Sequence, residues 1–175
     1  TRLDIAPDWY AIGASSQDPD KLQGFHAASG NILIIVDEAA GVNEQAFEAI
    51  EGMMTSEGAR MLMIGNPTSD TGSFRASHYT WEHAHKIHIS VFDSPNFVNN
   101  GIKTIEDLQN VDLDKVEIVN PYLVSPRWAY EKIDAWGIDS PMFQARVLGN
   151  FPSQSDNTVI PLNLLEQAAT EEHRE

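Results

Sequence analysis

Asn31-Ile32-Leu33-Ile34-Ile35-Val36-Asp37-Glu38-Ala39-Ala40-Gly41 drives an unbroken apolar run straight into two adjacent carboxylates. A run rich in Ile and Val, with no polar alternation, reads as a strand buried on both faces of a parallel sheet. In open α/β sheets the chemistry gathers at the carboxyl ends of such strands. Asp37 and Glu38 stand at that end, and two readings of them follow. In one, Asp37 caps the next helix and Glu38 occupies its first turn, where acids interact favourably with the helix dipole. In the other, the first carboxylate holds Mg²⁺ and the second polarises an attacking water, as in the Walker B strand of a nucleoside triphosphatase.

A second apolar run, Arg60-Met61-Leu62-Met63-Ile64, ends in Gly65-Asn66-Pro67-Thr68-Ser69. Between the runs, Ala46, Phe47, Ile50 and Met53 or Met54 recur at helical spacing, with Glu44, Glu48 and Glu51 among them, so the unit reads strand, helix, strand. Crossovers of this kind make the two strands parallel. Asn66, Thr68 and Ser69 then emerge on the same sheet edge as Asp37 and Glu38, where an amide or hydroxyl can bond to a γ-phosphate or to the attacking water. A plain turn accounts for the same residues, since Asn-Pro and Ser-Asp favour turns.

Elsewhere, Trp9 to Ala14 reads as a strand, Ser15 to Asp20 as a polar loop, and Asp18 to Gly24 as a short helix closed by glycine. From His85 to Phe92 the chain alternates, with Ile87, Ile89 and Val91 on one side and Lys86, His88 and Ser90 on the other, which predicts a half-buried strand. Asp93 to Pro121 is rich in Asn, Asp and Pro and reads as a linker or insertion, with one helix around Thr104 to Gln109. Ser125 before Pro126 opens a helix ended by Gly137, and Ser140 before Pro141 opens another stopped by Gly149. Trp128, Ile133, Trp136 and the other apolar residues here read as packing onto a neighbouring domain. Ser153 to Asn157 is polar, and Val159-Ile160-Pro161 leads into a final short helix and a frayed tail.

Composition excludes several classes. The 175 residues contain no cysteine, so neither a disulfide scaffold nor a Cys-based zinc site is open to the chain. No apolar run approaches the ~20 residues that span a bilayer, which points to a soluble protein without a membrane role. A net charge of −15, from 26 acids and 11 bases, argues against a broad electrostatic grip on DNA through these residues. His78, His83, His85 and His88 invite a metal-site reading, but His85 and His88 face opposite ways in the expected strand and zinc needs converging ligands. No Ser/His/Asp set stands in a nucleophile elbow.

Taken in order, Gln23-Gly24-Phe25-His26-Ala27, Ile34 to Val42, Ile64-Gly65-Asn66-Pro67-Thr68 and Gly72-Ser73-Phe74 resemble the ATPase domain of the large terminase subunit of tailed bacteriophages and prophages, and Phe143 to Pro152 resembles the segment that links the motor to the nuclease domain in that family. The resemblance implies an α/β fold: a partial RecA-like P-loop NTPase core with a parallel sheet over 1–92, a helical linker subdomain over 93–152, and over 153–175 the start of a connection to a nuclease domain. It implies ATP and Mg²⁺ as cofactors, with Asp37 on the metal and nucleotide, Glu38 as catalytic glutamate, and Gly65 to Thr68 as the motif that couples hydrolysis to DNA movement. Asn66 and Thr68 join Glu38 in the catalytic set, and Gly65 and Ser69 join Asp37 in binding nucleotide. The implied partners are double-stranded viral DNA, a portal protein, a small terminase subunit and further copies in a ring, in the cytoplasm of the bacterial host. One departure stands out: Gly-x-x-x-x-Gly-Lys-Ser/Thr, the loop that cradles phosphates, occurs nowhere in the chain. The chain also opens at Thr1 in what reads as mid-domain sequence, so it is expected to be a fragment, inactive alone. A DExx helicase and a non-catalytic interaction module are the competing readings of the same residues.

Overall fold

The computed structural model describes residues 1–15 and 30–152. The Gln23 to Ala27 stretch, the loop and helix expected between 16 and 24, and everything from 153 onward lie outside the described residues. The chain divides into two compact units, Thr1–Asn66 with Thr71–Glu82, and Pro67–Asp70 with His83–Glu175.

Secondary structure in the first unit begins with a hairpin of β1 (Arg2–Ala6) and β2 (Trp9–Ile12), paired antiparallel from Arg2↔Ile12 to Ala6↔Trp9 with an irregularity between Asp4 and Ala6. Pro7 and Asp8 make the turn, with Asp8 at φ 61, a left-handed value that Asp tolerates better than most residues. The strand read from Trp9 onward is therefore present, and its partner β1 is one that the sequence reading omitted.

The expected strand, helix, strand unit follows. β3 (Ile32–Val36) and β4 (Ala59–Met63) pair parallel in register from Ile32↔Ala59 to Val36↔Met63, and α1 (Glu44–Met53) connects them. Asn43 caps α1 by accepting from the Ala46 N–H at 2.8 Å. The helix buries Ala46, Phe47, Ala49, Ile50 and Met53, the stripe that 3.6-residue periodicity requires. Burial alternates along both strands, and Leu33, Ile35, Leu62 and Ile64 are 61%, 59%, 43% and 49% exposed. Burial on both faces, expected from the unbroken apolar run, is thus corrected: among the described residues the sheet has two strands, and one of its faces is open. α2 (Ser73–Tyr79) completes this unit and lies against the 3₁₀ turn Ala39–Gly41.

The second unit is helical: α3 (Pro95–Val98), α4 (Ile105–Asn110), α5 (Pro126–Trp136) and α6 (Pro141–Arg146). Its core is Val91, Phe97, Ile102, Leu108, Ala129, Phe143 and Val147. Each fully buried large side chain there contributes roughly 1.5–3 kcal/mol. Ser125 and Ser140 cap α5 and α6 through the N–H groups of Trp128 and Phe143, each with proline at the first turn, as their spelling predicts. Of the two readings of Asp93 to Pro121, linker or insertion, the first is corrected. Residues 93–121 are no bare linker, because Phe97, Ile102 and Leu108 sit at the centre of the core. Trp128, Ile133 and Trp136 pack against this unit's own core.

The strand expected over His85 to Phe92 does not form. Ile87 and Ile89 are exposed, and Ser90 and Asp93 exchange bonds as a capping box that turns the chain into a 3₁₀ turn, Val91–Asp93. Alternation alone does not make a strand without a partner to satisfy its backbone. Here the Val91 N–H bonds the Val147 carbonyl. Gly149, at φ +70, lies so close that a Cβ on it would collide with the Ile89 carbonyl.

Candidate functional site

β3 leads straight into Asp37 and Glu38, both exposed. Glu38 adopts φ 51 and ψ 43, the left-handed region that costs a non-glycine residue about 1 kcal/mol or more unless its surroundings hold it there. Several backbone bonds do. The Ile64 N–H donates to the Val36 carbonyl at 2.9 Å, and the Ala39 N–H donates to the Ile64 carbonyl at 2.9 Å. The Asp37 Oδ1 accepts the Glu38 N–H at 3.0 Å. The chain thus turns sharply at the carboxyl end of β3 and presents consecutive carboxylates there. The helix-capping alternative does not describe this geometry, since the 3₁₀ turn has Glu38 as its cap residue without a side-chain cap bond and α1 is capped by Asn43.

Gly65 follows Ile64 at the end of the neighbouring strand. A Cβ there would lie 3.0 Å from the Ala39 nitrogen and 3.4 Å from the Glu38 Cα and carbonyl carbon. Only glycine lets the two backbones approach so closely without displacement. Asn66 comes next and is exposed, then Pro67 is buried. Asp37, Glu38, Gly65 and Asn66 are accordingly gathered by one parallel register within one unit. Thr68 is exposed and Ser69 half-buried, and both are grouped with the second unit.

The donor set is hard oxygen: paired carboxylates and an amide, which suits Mg²⁺ and not a soft metal. Two carboxylates alone hold Mg²⁺ poorly, and phosphate oxygens ordinarily complete its shell. Among the described residues no group of three or more His, Cys, Asp or Glu is placed to hold a metal. The opposed placement of His85 and His88 argued from a strand has no strand to rest on.

One set of contacts went unread in the sequence. Glu44, the first residue of α1, reaches the start of α2: its Oε1 accepts the Ser73 N–H at 2.9 Å and its Oε2 accepts the Ser73 hydroxyl at 2.7 Å. A Gly-Ser opening to a helix is a visible signal, but the identity of a partner so far away in sequence is not. Arg60 spends its Nη1 on the carbonyls of Glu57 and Ala59, each at 2.7 Å, and the Arg75 guanidinium lies 4.4 Å from the Tyr79 ring centroid.

With this geometry in place, similarity to a curated protein bears on it. The chain is 28% identical over 149 residues, 85% of its own length, to the "Probable terminase, large subunit" of Enterobacteria phage P7. It is similar to a phage terminase large subunit. It spans about a quarter of that relative's length, 26%. No family model matches the chain, and no solved structure matches it. No helix among the described residues is long and apolar enough to cross a membrane.

Proposed function

We propose that this chain is a segment of a DNA-packaging motor ATPase, in which Asp37, Glu38, Gly65 and Asn66 form the hydrolytic edge of a RecA-like core. The observation that carries the reading is the Asp37–Glu38 turn at the carboxyl end of β3, bonded through Ala39 to Ile64 and packed on Gly65. The similarity to a terminase large subunit supports the same reading from outside the site.

In this proposal Asp37 holds the Mg²⁺ of bound MgATP. Held there, the metal would supply neutralisation of the charge that develops on the phosphate oxygens. Glu38 orients the attacking water and draws its proton. Asn66 donates a hydrogen bond to the water or to the terminal phosphate, and Gly65 keeps the backbone of this edge closed. Double-stranded viral DNA, a portal, a small terminase subunit and further copies in a ring are the proposed partners, and the host cytoplasm the proposed setting. The phosphate-cradling loop would come from outside these 175 residues, since the chain has none.

The test is Glu38→Gln in the full-length protein. Turnover should fall by ~10²-fold or more while nucleotide affinity is preserved, because polarising water matters only as the transition state forms. Near-normal ATPase and packaging rates in a folded Glu38→Gln protein would overturn the assignment.

A further inference from the structure

The neighbours Asn43 and Glu44 cap two different helices. Asn43 closes the start of its own helix α1, whereas Glu44 turns away and closes the start of α2 with both carboxylate oxygens, on the Ser73 N–H and the Ser73 hydroxyl. α2 lies in turn against the 3₁₀ turn Ala39–Gly41, which begins directly after Glu38. Gly72, at φ +93, makes room for this: a Cβ there would stand 3.2 Å from the Glu44 Oε1. The turn that presents the carboxylates is therefore followed by α1 and packed against α2, and the starts of these two helices are tied to each other by one acidic side chain. The tie is two charge-assisted bonds, with an anion at the positive end of a helix.

We infer that Glu44 is a positioning residue, which through Ser73 holds α1 and α2 together and so fixes the Asp37–Glu38 turn in its strained geometry; the inference rests on the nucleotide-hydrolysis reading above. Glu44 touches no reacting group. It acts by limiting how far the turn relaxes, and a small misplacement of a catalytic carboxylate lowers turnover well beyond its effect on binding. Glu44 lies early in α1, where a solvated acid is unremarkable in sequence, so only the pairing with Ser73 marks it out.

The test measures steady-state ATPase in the full-length protein for Glu44→Ala, Ser73→Ala, the double variant and Glu44→Gln, beside Glu38→Gln. Glu44→Ala should lower kcat by ~10-fold with KM within ~2-fold. Ser73→Ala should lower it less, since the backbone N–H remains. The double variant should be no worse than Glu44→Ala, the mark of residues acting as a pair. Glu44→Gln, whose amide oxygen can still accept from Ser73, should recover most of the loss. Circular dichroism and melting establish that each variant is folded, and if Glu44→Ala is not, Ser73→Ala still decides. Wild-type kcat in folded Glu44→Ala, or in Ser73→Ala where Glu44→Ala does not fold, alongside a crippled Glu38→Gln would overturn the inference and leave the hydrolytic site standing. Losses of kcat no larger than the unfolded fraction of each variant, or a loss carried by KM rather than kcat, would also overturn it. Full turnover in Glu38→Gln would overturn the site itself, and the inference with it.

Discussion

Asp37 and Glu38 are adjacent in sequence yet assigned different work, and that difference is measurable. Asp37→Asn in the full-length protein should weaken Mg²⁺-dependent nucleotide binding as well as turnover, in contrast to Glu38→Gln, because a neutral amide is a poorer ligand for a hard dication. Nucleotide titration with and without Mg²⁺ separates the two variants. Gly65 supports the same turn sterically. Gly65→Ala would place a methyl 3.0 Å from the Ala39 nitrogen, so the strand ends must part. The expected result is a loss of about 1 kcal/mol or more in urea unfolding, and a fall in turnover larger than that change in stability explains.

Among the elements, α3 and the loop it holds show how Asn replaces regular structure. Asn96 is fully buried. Its Nδ2 donates to the carbonyls of Asn120, Leu123 and Val124 at 2.9, 3.3 and 3.0 Å, and its Oδ1 accepts the Asn120 N–H at 2.9 Å. Asn100 pairs with the backbone of Glu117 through both its Nδ2 and its Oδ1. Asn96→Ala should cost roughly 2–4 kcal/mol, since several buried backbone groups lose their partner. Asn96→Asp should cost more at neutral pH, because a carboxylate facing carbonyl oxygens donates nothing. Equilibrium urea unfolding ranks the pair, and equal stability of Asn96→Asp and wild type would refute the account.

Acid should weaken the same unit through its caps. The Lys103 N–H, with the Thr104 hydroxyl and N–H, holds the Asp107 carboxyl below its ordinary value of 3.8. The Ser90 N–H, then its hydroxyl, lowers Asp93 likewise against a small opposing effect of burial, with a minor contribution from His88. A carboxylate whose pKa is depressed by folding contributes stability above its unfolded value and loses it as pH falls through the folded one. Stability should therefore be flat near neutrality and decline below about pH 4. Asp107→Asn should flatten part of that decline, as read from melting temperature against pH.

For the whole molecule, the absence of a phosphate-cradling loop leads to a direct expectation. The 175-residue chain on its own should neither hydrolyse ATP nor bind it tightly, since the backbone donors and lysine that hold phosphates have no counterpart in its sequence. Calorimetry on the purified chain with MgATP checks this, and micromolar affinity would contradict it. The open sheet face of Leu33, Ile35, Leu62 and Ile64 bears on the same point. Parallel sheets are ordinarily covered on both faces, so the apolar run of β3 is spelled for more cover than the described residues supply.

By itself the sequence determined the strand, helix, strand unit, its parallel sense, the placement of Asp37 and Glu38 at a strand end, and the capped helices α5 and α6. These rest on local rules: apolar periodicity, Ser-Pro starts, the glycine stop of α5 and the handed connection between parallel strands, whereas α6 ends at Arg146, short of the stop expected at Gly149. Tertiary structure alone decided the rest. Ile87 and Ile89 alternate as a strand would, yet among the described residues no strand pairs with them and a capping box takes the chain elsewhere. Residues 93–121 read equally as a linker or an insertion, yet Asn96 and Asn100 supply the bonds that regular structure would have given, and Phe97, Ile102 and Leu108 fill a core. Glu44 finds Ser73, and Gly65 finds the backbone of Glu38, only once β3 and β4 lie side by side. A pattern in sequence states what a segment prefers, whereas which segment satisfies it depends on contacts between residues far apart along the chain.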